Sequence, residues 1–373
     1  MNTQYDFLIV GAGLYGATFA HRATRDGLKC LVVERRPVVG GNLRCENIEG
    51  VTVHSYGPHI FHTSDRKIWD FVNSLVPFTP YKHEPMALDA NGVMRHLPFN
   101  MYTFEALWGV KTPEEARGMI ELQRASAPRH PHNLEEQAIA MVGTDIYNLL
   151  VKGYNEKQWG RPCTMMPSFL IQRIPLRFSY DNNYFDDVYT GVPVGGYNGL
   201  IEKLLEGSDV RTGVDFFKER SLLEGLARHV VFTGRVDEYF DYCFGRLDYR
   251  TLRFEYEVVD KPWAQPCAVI TDNVPEHDYI RSCEHKHFHP ECAESPKTVI
   301  IREYPLEYQE GMEALYPVND VRNTAIHARY RDLVNRQPGV TFGGRLAEYH
   351  YYDMAPVIKK ALSDYDEVLS HMG

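Results

Sequence analysis

Phe7-Leu8-Ile9-Val10-Gly11-Ala12-Gly13-Leu14-Tyr15-Gly16 is the stretch that decides the fold. An apolar run leads straight into a Gly-x-Gly-x-x-Gly turn. A helix-like segment follows to Asp26-Gly27, then a second apolar run, Cys30-Leu31-Val32-Val33, closing on Glu34. Strand, glycine turn, helix, strand and acid stand in the order a dinucleotide-binding βαβ unit requires. Gly11 permits the tight turn, Gly13 lets the backbone approach a pyrophosphate, and Gly16 lets the helix pack close to the strand. Leu14 and Tyr15 open the helix whose free N–H groups and dipole favour the diphosphate. Glu34 stands where a carboxylate can accept hydrogen bonds from the adenosine ribose. A second glycine pair follows Arg35-Arg36, in Gly40-Gly41-Asn42. A nicotinamide domain has no particular need of that pair, whereas a flavin domain uses such a turn against the FAD pyrophosphate and ribityl chain. The stretch reads as an FAD site that includes Arg35, Gly41 and Asn42.

The 373 residues suffice for two or three domains with a sizeable core. The net charge of −10 argues against general nucleic-acid or anionic-membrane binding, since both need a basic face. Seven cysteines with no Cys-x-x-Cys pair are the usage of a reducing compartment. The longest apolar stretch, Phe7 to Ala20, is too short to span a bilayer. No signal-peptide pattern precedes it, and a cytoplasmic location is expected.

Further along, Gly50 to Phe61 alternates like paired strands, and Ser64 or Thr63 is placed to cap a helix through Trp69. Val76 to Pro98, with a turn at Asn91-Gly92, reads as a hairpin. From Thr103 to Lys152 the period is helical, with Thr112-Pro113-Glu114-Glu115 a capping box and Asn133-Leu134-Glu135-Glu136 a similar start. Gly153 to Pro193 reads as short extended pieces, and Tyr249 to Glu303 alternates as an antiparallel sheet would. Val340-Thr341-Phe342 ends in a glycine pair before a closing helix. The fold class expected is α/β: a discontinuous Rossmann-like FAD domain (1–75, 195–246, 312–373), an inserted helical domain (100–152) and a mixed or antiparallel sheet domain lining the substrate cleft (76–99, 153–194, 247–311).

Two arginines stand inside apolar patterns, Arg173 in Ile171-Gln172-Arg173-Ile174 and Arg281 in Tyr279-Ile280-Arg281-Ser282. Such a cation is costly unless paired, so each belongs to a buried salt bridge or faces an anion. A guanidinium can fork two phosphate oxygens in a charge-assisted bond contributing about 1.5–3 kcal/mol. In Cys283-Glu284-His285-Lys286-His287-Phe288-His289, a strand would align three histidines on one face. Zinc would still want a fourth ligand and a firm surrounding shell, and the cysteines have no ligand spacing, so no metal is expected. No Ser-His-Asp order, P-loop or Gly-x-Ser-x-Gly elbow appears.

The motifs together resemble bacterial UDP-galactopyranose mutases over nearly the whole chain. The segments that carry the resemblance include the glycine turn, Gly40-Gly41-Asn42, His59-Ile60-Phe61-His62-Thr63 and Leu97-Pro98-Phe99-Asn100-Met101. They continue with Lys152-Gly153-Tyr154-Asn155-Glu156-Lys157-Gln158-Trp159-Gly160, Arg173-Ile174-Pro175, Asp181-Asn182-Asn183-Tyr184-Phe185 and Tyr316-Pro317-Val318-Asn319-Asp320. Gly343-Gly344-Arg345-Leu346-Ala347-Glu348-Tyr349 closes the set.

The resemblance implies an enzyme that interconverts UDP-galactopyranose and UDP-galactofuranose without net redox change, for cell-surface polysaccharide synthesis. In that family FAD is active when reduced, its N5 attacking the anomeric carbon and displacing UDP. Carried over, Arg173 and Arg281 clamp the diphosphate, Arg173 on a loop that closes over substrate. Tyr184, Tyr316 and Tyr351 resemble the diphosphate-binding tyrosines, while Tyr154 and Trp159 fit the uridine side. His62 lies near the isoalloxazine, with catalytic standing beside the two arginines, and Arg345, Asp353 and Met354 lie on the flavin side. His59 and Ile60 belong to the cofactor set. A homodimer and an external reductant such as NAD(P)H are further implications.

Departures from the family pattern are His83, where a small amide near the uracil is expected, Pro58 in place of a common alanine, and the run Val269-Ile270-Thr271-Asp272-Asn273-Val274-Pro275-Glu276-His277-Asp278-Tyr279-Ile280-Arg281, where the family more usually shows Pro-Tyr-Thr-Arg before the shared arginine. They leave room for a related UDP-hexose such as UDP-N-acetylgalactosamine. The rival readings are a flavin amine-oxidase-like oxidoreductase and a redox-sensing FAD protein.

Overall fold

The computed structural model describes residues 3–125 and 127–372, with the side chains of Gln172, Arg173 and Met372 outside it. The chain folds as α/β around a parallel five-stranded sheet ordered Asp209–Thr212, Cys30–Glu34, Tyr5–Val10, Ala227–Phe232, Val340–Phe342. Its strands come from three separated parts of the chain. Successive side chains point to opposite faces, so Phe7 and Ile9 enter one core while Leu8 and Val10 enter the other. A parallel sheet covered on both sides needs such an uninterrupted apolar run. On one face lie the helices Leu14–Arg25 and Met354–Met372, where Phe19 meets Tyr365 edge-on at 5.4 Å. On the other, Phe232, Tyr330 and Phe342 fill the second core.

The helix expected after Phe61 is Arg66–Leu75, and its cap is Asp65, not Ser64 or Thr63: the Asp65 carboxylate accepts from Lys67 N at 3.0 Å. Ser64 is engaged elsewhere, its hydroxyl donating to Asp187 at 2.7 Å, while the Thr63 hydroxyl accepts from Asp65 N.

The helical part comprises Met101–Trp108, Pro113–Arg124 and Leu134–Ile146, packed around Phe104, Ile120, Leu134 and Val142. The Thr112–Glu115 capping box forms with Pro113 at the first helical position, and Asn133 caps its helix by accepting from Glu136 N. A π-helical turn, Tyr147–Val151, leads into the helix Lys152–Trp159, where short extended pieces were expected. Gly153 misleads because it serves close approach, not chain breaking. A Cβ there would lie 2.5 Å from the Asn273 carbonyl oxygen, and the Asn273 side chain accepts from Tyr154 N.

The large sheet has seven strands, ordered Tyr316–Pro317, Tyr249–Val259, Thr298–Glu307, Arg281–Glu284, Val269–Asp272, Met86–Leu88, Met94–His96. Its pairings are antiparallel except that Met86–Leu88 runs parallel to Val269–Asp272. A three-stranded sheet of Phe61–Thr63, Tyr189–Pro193 and Phe78–Pro80 and the hairpin Cys45–Ile48/Val51–His54 join the two larger parts. The histidine run is not a strand: His285–Phe288 is a 3-10 turn, so the three histidines do not share a strand face. Among the described residues, no helix is long and apolar enough to cross a membrane.

Candidate active site

The first βαβ turn forms one wall of a trough. Gly11 has φ +106°, and a Cβ there would lie 2.1 Å from the Thr233 hydroxyl, so only glycine lets the three strand ends meet. The two glycine turns abut: a Cβ on Gly41 would come within 3.0 Å of the Gly13 Cα. Gly343 lies under the Tyr15 ring, whose hydroxyl donates to Asp364. The Glu34 carboxylate accepts from the N–H groups of Ala12 and Arg36, both at 2.9 Å, and this fixes it at the trough's edge. Arg36 forks Glu313 through Nε and Nη2 at 3.1 and 2.6 Å, while its Nη1 is enclosed without a partner among the described residues. Arg35 reaches the same carboxylate at 3.5 Å from a half-exposed position.

The trough opens into a cleft of about 1390 Å³. Sites for one small molecule usually measure roughly 300–1,000 Å³, so this one has room for a dinucleotide and a second ligand. Gly11, Gly13, Leu14, Tyr15, Gly16, Glu34, Arg35, Gly41, Asn42, His59 and Ile60 line the trough side. A glycine cradle, an acid at the second strand's end and enclosed guanidinium nitrogens on Arg36 and Arg345 are donors and contours that suit FAD.

Arg281 projects into the cleft from the seven-stranded sheet. It is the direct cross-strand partner of Glu303, whose side chain is wholly buried, and its Nε and Nη2 reach Glu303 Oε2 at 2.9 and 2.6 Å. Burial opposes the cation, but the Glu303 carboxylate, together with Tyr154, Cys283 and Tyr316 beside it, outweighs burial and holds the guanidinium's pKa well above its ordinary value. Arg281 is thus both a buried ion pair and a cleft-lining cation. Nearby, Tyr316 and Tyr351 stack at 5.9 Å, and the Arg345 guanidinium lies 4.4 Å from the Tyr351 ring. Arg345 Nη2 donates to the Leu315 carbonyl, leaving Nε enclosed without a partner among the described residues. Tyr154 and Trp159 come from the helix Lys152–Trp159, and burial raises the Tyr154 phenol's pKa.

Opposite them, His62 stacks on Phe185 at 3.9 Å and its Nδ1 lies 2.7 Å from Asp187, with Asp353 3.9 Å from Nε2. His83 stacks on the other flank of this group, 5.6 Å from Phe185 and edge-on to Tyr184. Burial, with Arg281 and His62 nearby, pushes the His83 imidazole down to about 3, so it stays neutral. That places His83 beside His62, Phe185 and Arg281, in the same cleft that Tyr154 and Trp159 line.

Every anticipated residue whose side chain is described lines this one cleft, Asp353 and Met354 included. Arg173 lies outside the described side chains. Sequence reading missed Glu303, although an acid inside Val299-Ile300-Ile301-Arg302-Glu303 needs a partner and Arg281 was waiting for one. It also missed Phe185, Asp187 and Arg36, which no period or spacing distinguishes from ordinary polar and aromatic residues.

Residues 149–351 match the family model described as UDP-galactopyranose mutase, and residues 9–75 match an NAD(P)-binding Rossmann-like domain. The chain is 35% identical to dTDP-fucopyranose mutase of Escherichia coli, covering 95% of this chain and 96% of that protein. It is also 35% identical to a probable UDP-galactopyranose mutase of Klebsiella pneumoniae, covering 99% and 96%. Its fold superposes on a crystal structure of reduced UDP-galactopyranose mutase with a TM-score of 0.74 at 15% identity, covering 98% and 96% of the two chains.

Proposed function

The chain belongs to the UDP-galactopyranose mutase family, and on that premise we propose that it is an isomerase interconverting UDP-galactopyranose and UDP-galactofuranose with no net redox change. FAD is the cofactor, and in its reduced form it supplies the electron-rich nucleophile for the anomeric carbon. The observation that carries the reading is Arg281, a permanently charged fork on a buried carboxylate, aimed into a cleft continuous with the dinucleotide trough. Its free edge is placed to hold the diphosphate as negative charge develops on the leaving nucleotide, in a site walled by Tyr154, Tyr184, Tyr316 and Tyr351. Arg173 is assigned the second guanidinium, and Trp159 the base. His62, oriented by Asp187, faces the sugar beside the cofactor. The reading includes an external two-electron donor such as NAD(P)H, a homodimer, a cytoplasmic location and the discontinuous division of the chain set out above.

A second reading, a dTDP-6-deoxyhexose mutase, is favoured by the equal identity to dTDP-fucopyranose mutase and by the bulky neutral His83 in the cleft. Dithionite-reduced holoenzyme incubated under nitrogen with UDP-galactofuranose, and separately with dTDP-fucofuranose, tests both. Chromatographic recovery of UDP-galactopyranose supports the first reading, and dTDP-fucopyranose alone supports the second. If neither product is recovered, the mutase reading is overturned.

A further inference from the structure

Behind the cofactor wall of the cleft lies a histidine cluster that the reaction does not use. His54 is fully buried on the strand Val51–His54, stacked on Phe288 at 5.5 Å. Its Nδ1 accepts from the His59 main-chain N–H at 3.1 Å, and its Nε2 lies 3.0 Å from His289 Nε2. His289 Nδ1 lies 3.2 Å from Glu291 Oε1, which also accepts from Gly195 N at 2.7 Å.

The protons in this chain follow from one fact: a main-chain N–H can only donate. His54 Nδ1 therefore carries a lone pair, and a neutral His54 has its proton on Nε2. That proton can be received only if His289 Nε2 is bare, so the His289 proton sits on Nδ1 and is donated to the Glu291 carboxylate. Every member has one consistent role, with donation running outward from the His59 N–H through His54 and His289 to Glu291. Burial keeps both imidazoles below their ordinary pKa, hence neutral. His285 stands edge-on to His54 at 4.8 Å, with neither ring nitrogen bonded among the described residues, and takes no part.

His59 is held at two further points of the same wall. Its carbonyl accepts from the Tyr197 hydroxyl at 3.0 Å, and its Nδ1 lies 2.8 Å from the Gly57 carbonyl. A carbonyl can only accept, so Nδ1 carries the His59 proton and the ring offers the cleft a bare Nε2.

We propose that Glu291, His289 and His54 are positioning residues: a one-directional hydrogen-bond relay that fixes the His59 main chain at the cofactor wall, where the Gly57 carbonyl makes the His59 ring a hydrogen-bond acceptor. Such an acceptor favours ligand N–H and O–H donors, and reduced FAD carries more ring N–H donors than the oxidised form. By holding that acceptor in place, the relay biases the bound cofactor toward its reduced state, independently of which sugar is rearranged.

Two measurements test this on FAD-loaded full-length protein. Long-range ¹H–¹⁵N spectra of ¹⁵N-histidine-labelled holoenzyme should place the proton of His54 on Nε2 and those of His289 and His59 on Nδ1. The opposite tautomer at His54 or His289 overturns the relay, and this holds whether or not any variant folds. Second, His289→Phe should lower the ratio of reduced-to-oxidised FAD affinity at least tenfold, about 30 mV for a two-electron couple. His289→Gln, whose amide again offers an acceptor and a donor, should stay within threefold of wild type. A ratio in His289→Phe no lower than in His289→Gln rejects the positioning role, and the expected shift does not depend on mutase turnover.

Discussion

Arg281 and Glu303 are direct cross-strand partners, and the guanidinium meets a single carboxylate oxygen through two nitrogens at 2.9 and 2.6 Å. The ion pair leaves one edge of a fixed cation facing a cleft that otherwise presents glycine backbone and phenol rings. Gly57 is part of the same arrangement, since a Cβ there would lie 2.9 Å from Glu303 Oε1. The pair is buried structure and anion site at once.

Arg281→Ala should lower kcat by about 10²–10³, or roughly 3–4 kcal/mol of transition-state stabilisation. It should also destabilise the fold, because it strands the buried Glu303 charge. Steady-state kinetics on dithionite-reduced protein measure the first effect. Turnover within threefold of wild type would show that leaving-group charge is held elsewhere.

Glu303→Gln keeps the shape but removes the anchor's charge. The expected result is a kcat lower by about tenfold with the Arg281 side chain intact. A double-mutant comparison with Arg281→Ala should give an effect well short of additive. Full additivity would mean that Glu303 acts on something other than Arg281.

Gly16→Ala should abolish FAD retention, because its Cβ would lie 2.1 Å from the Gly11 carbonyl oxygen and push the helix off the turn. Gly118→Ala is the contrast: within the helix Pro113–Arg124, with nothing within 4 Å, it should stabilise by about 0.5–1 kcal/mol. The ratio of flavin to protein absorbance and the thermal midpoint read the two outcomes. A yellow Gly16→Ala protein would contradict the close packing.

Acid should destabilise the fold through its buried histidines. Burial lowers His54 and His285 well below the ordinary value, His59 to about 4 and His83 to about 3. An unfolded histidine takes up its proton near pH 6.5. Below that pH the unfolded chain binds more protons than the folded one, so stability falls as pH falls from 6.5 toward 4. His83→Gln should reduce the slope near pH 5 by about one proton, or about 1.4 kcal/mol per pH unit. Urea denaturation across pH 5–7 measures it, and an unchanged slope would mean that His83 is charged or exposed.

Much of this architecture was legible in the residues because local and global signals agree. The apolar run before Gly11 is both a strand and the core of a two-sided sheet, and Thr112–Glu115 carries its cap in its own side chains. Misreadings fall where a long-range contact gives a residue its purpose. Gly153 looks like a breaker until Asn273 is packed against it, Ser64 looks like a cap until Asp187 claims its hydroxyl, and the histidine run alternates like a strand but closes as a turn. Glu303 is the instructive omission, because an acid and an arginine each stranded in apolar strands predict one another. His83 shows the reverse: its identity stood out, but only the stacking on Phe185 places it beside His62.

The most direct test of redox-neutral isomerisation counts electrons. FAD-loaded protein is reduced once with a stoichiometric amount of dithionite, sealed under nitrogen and given excess nucleotide-sugar. Hundreds of product molecules per flavin, with the cofactor still reduced at the end, are expected. One product or fewer per flavin, or reoxidation of the cofactor in step with product, would contradict the account.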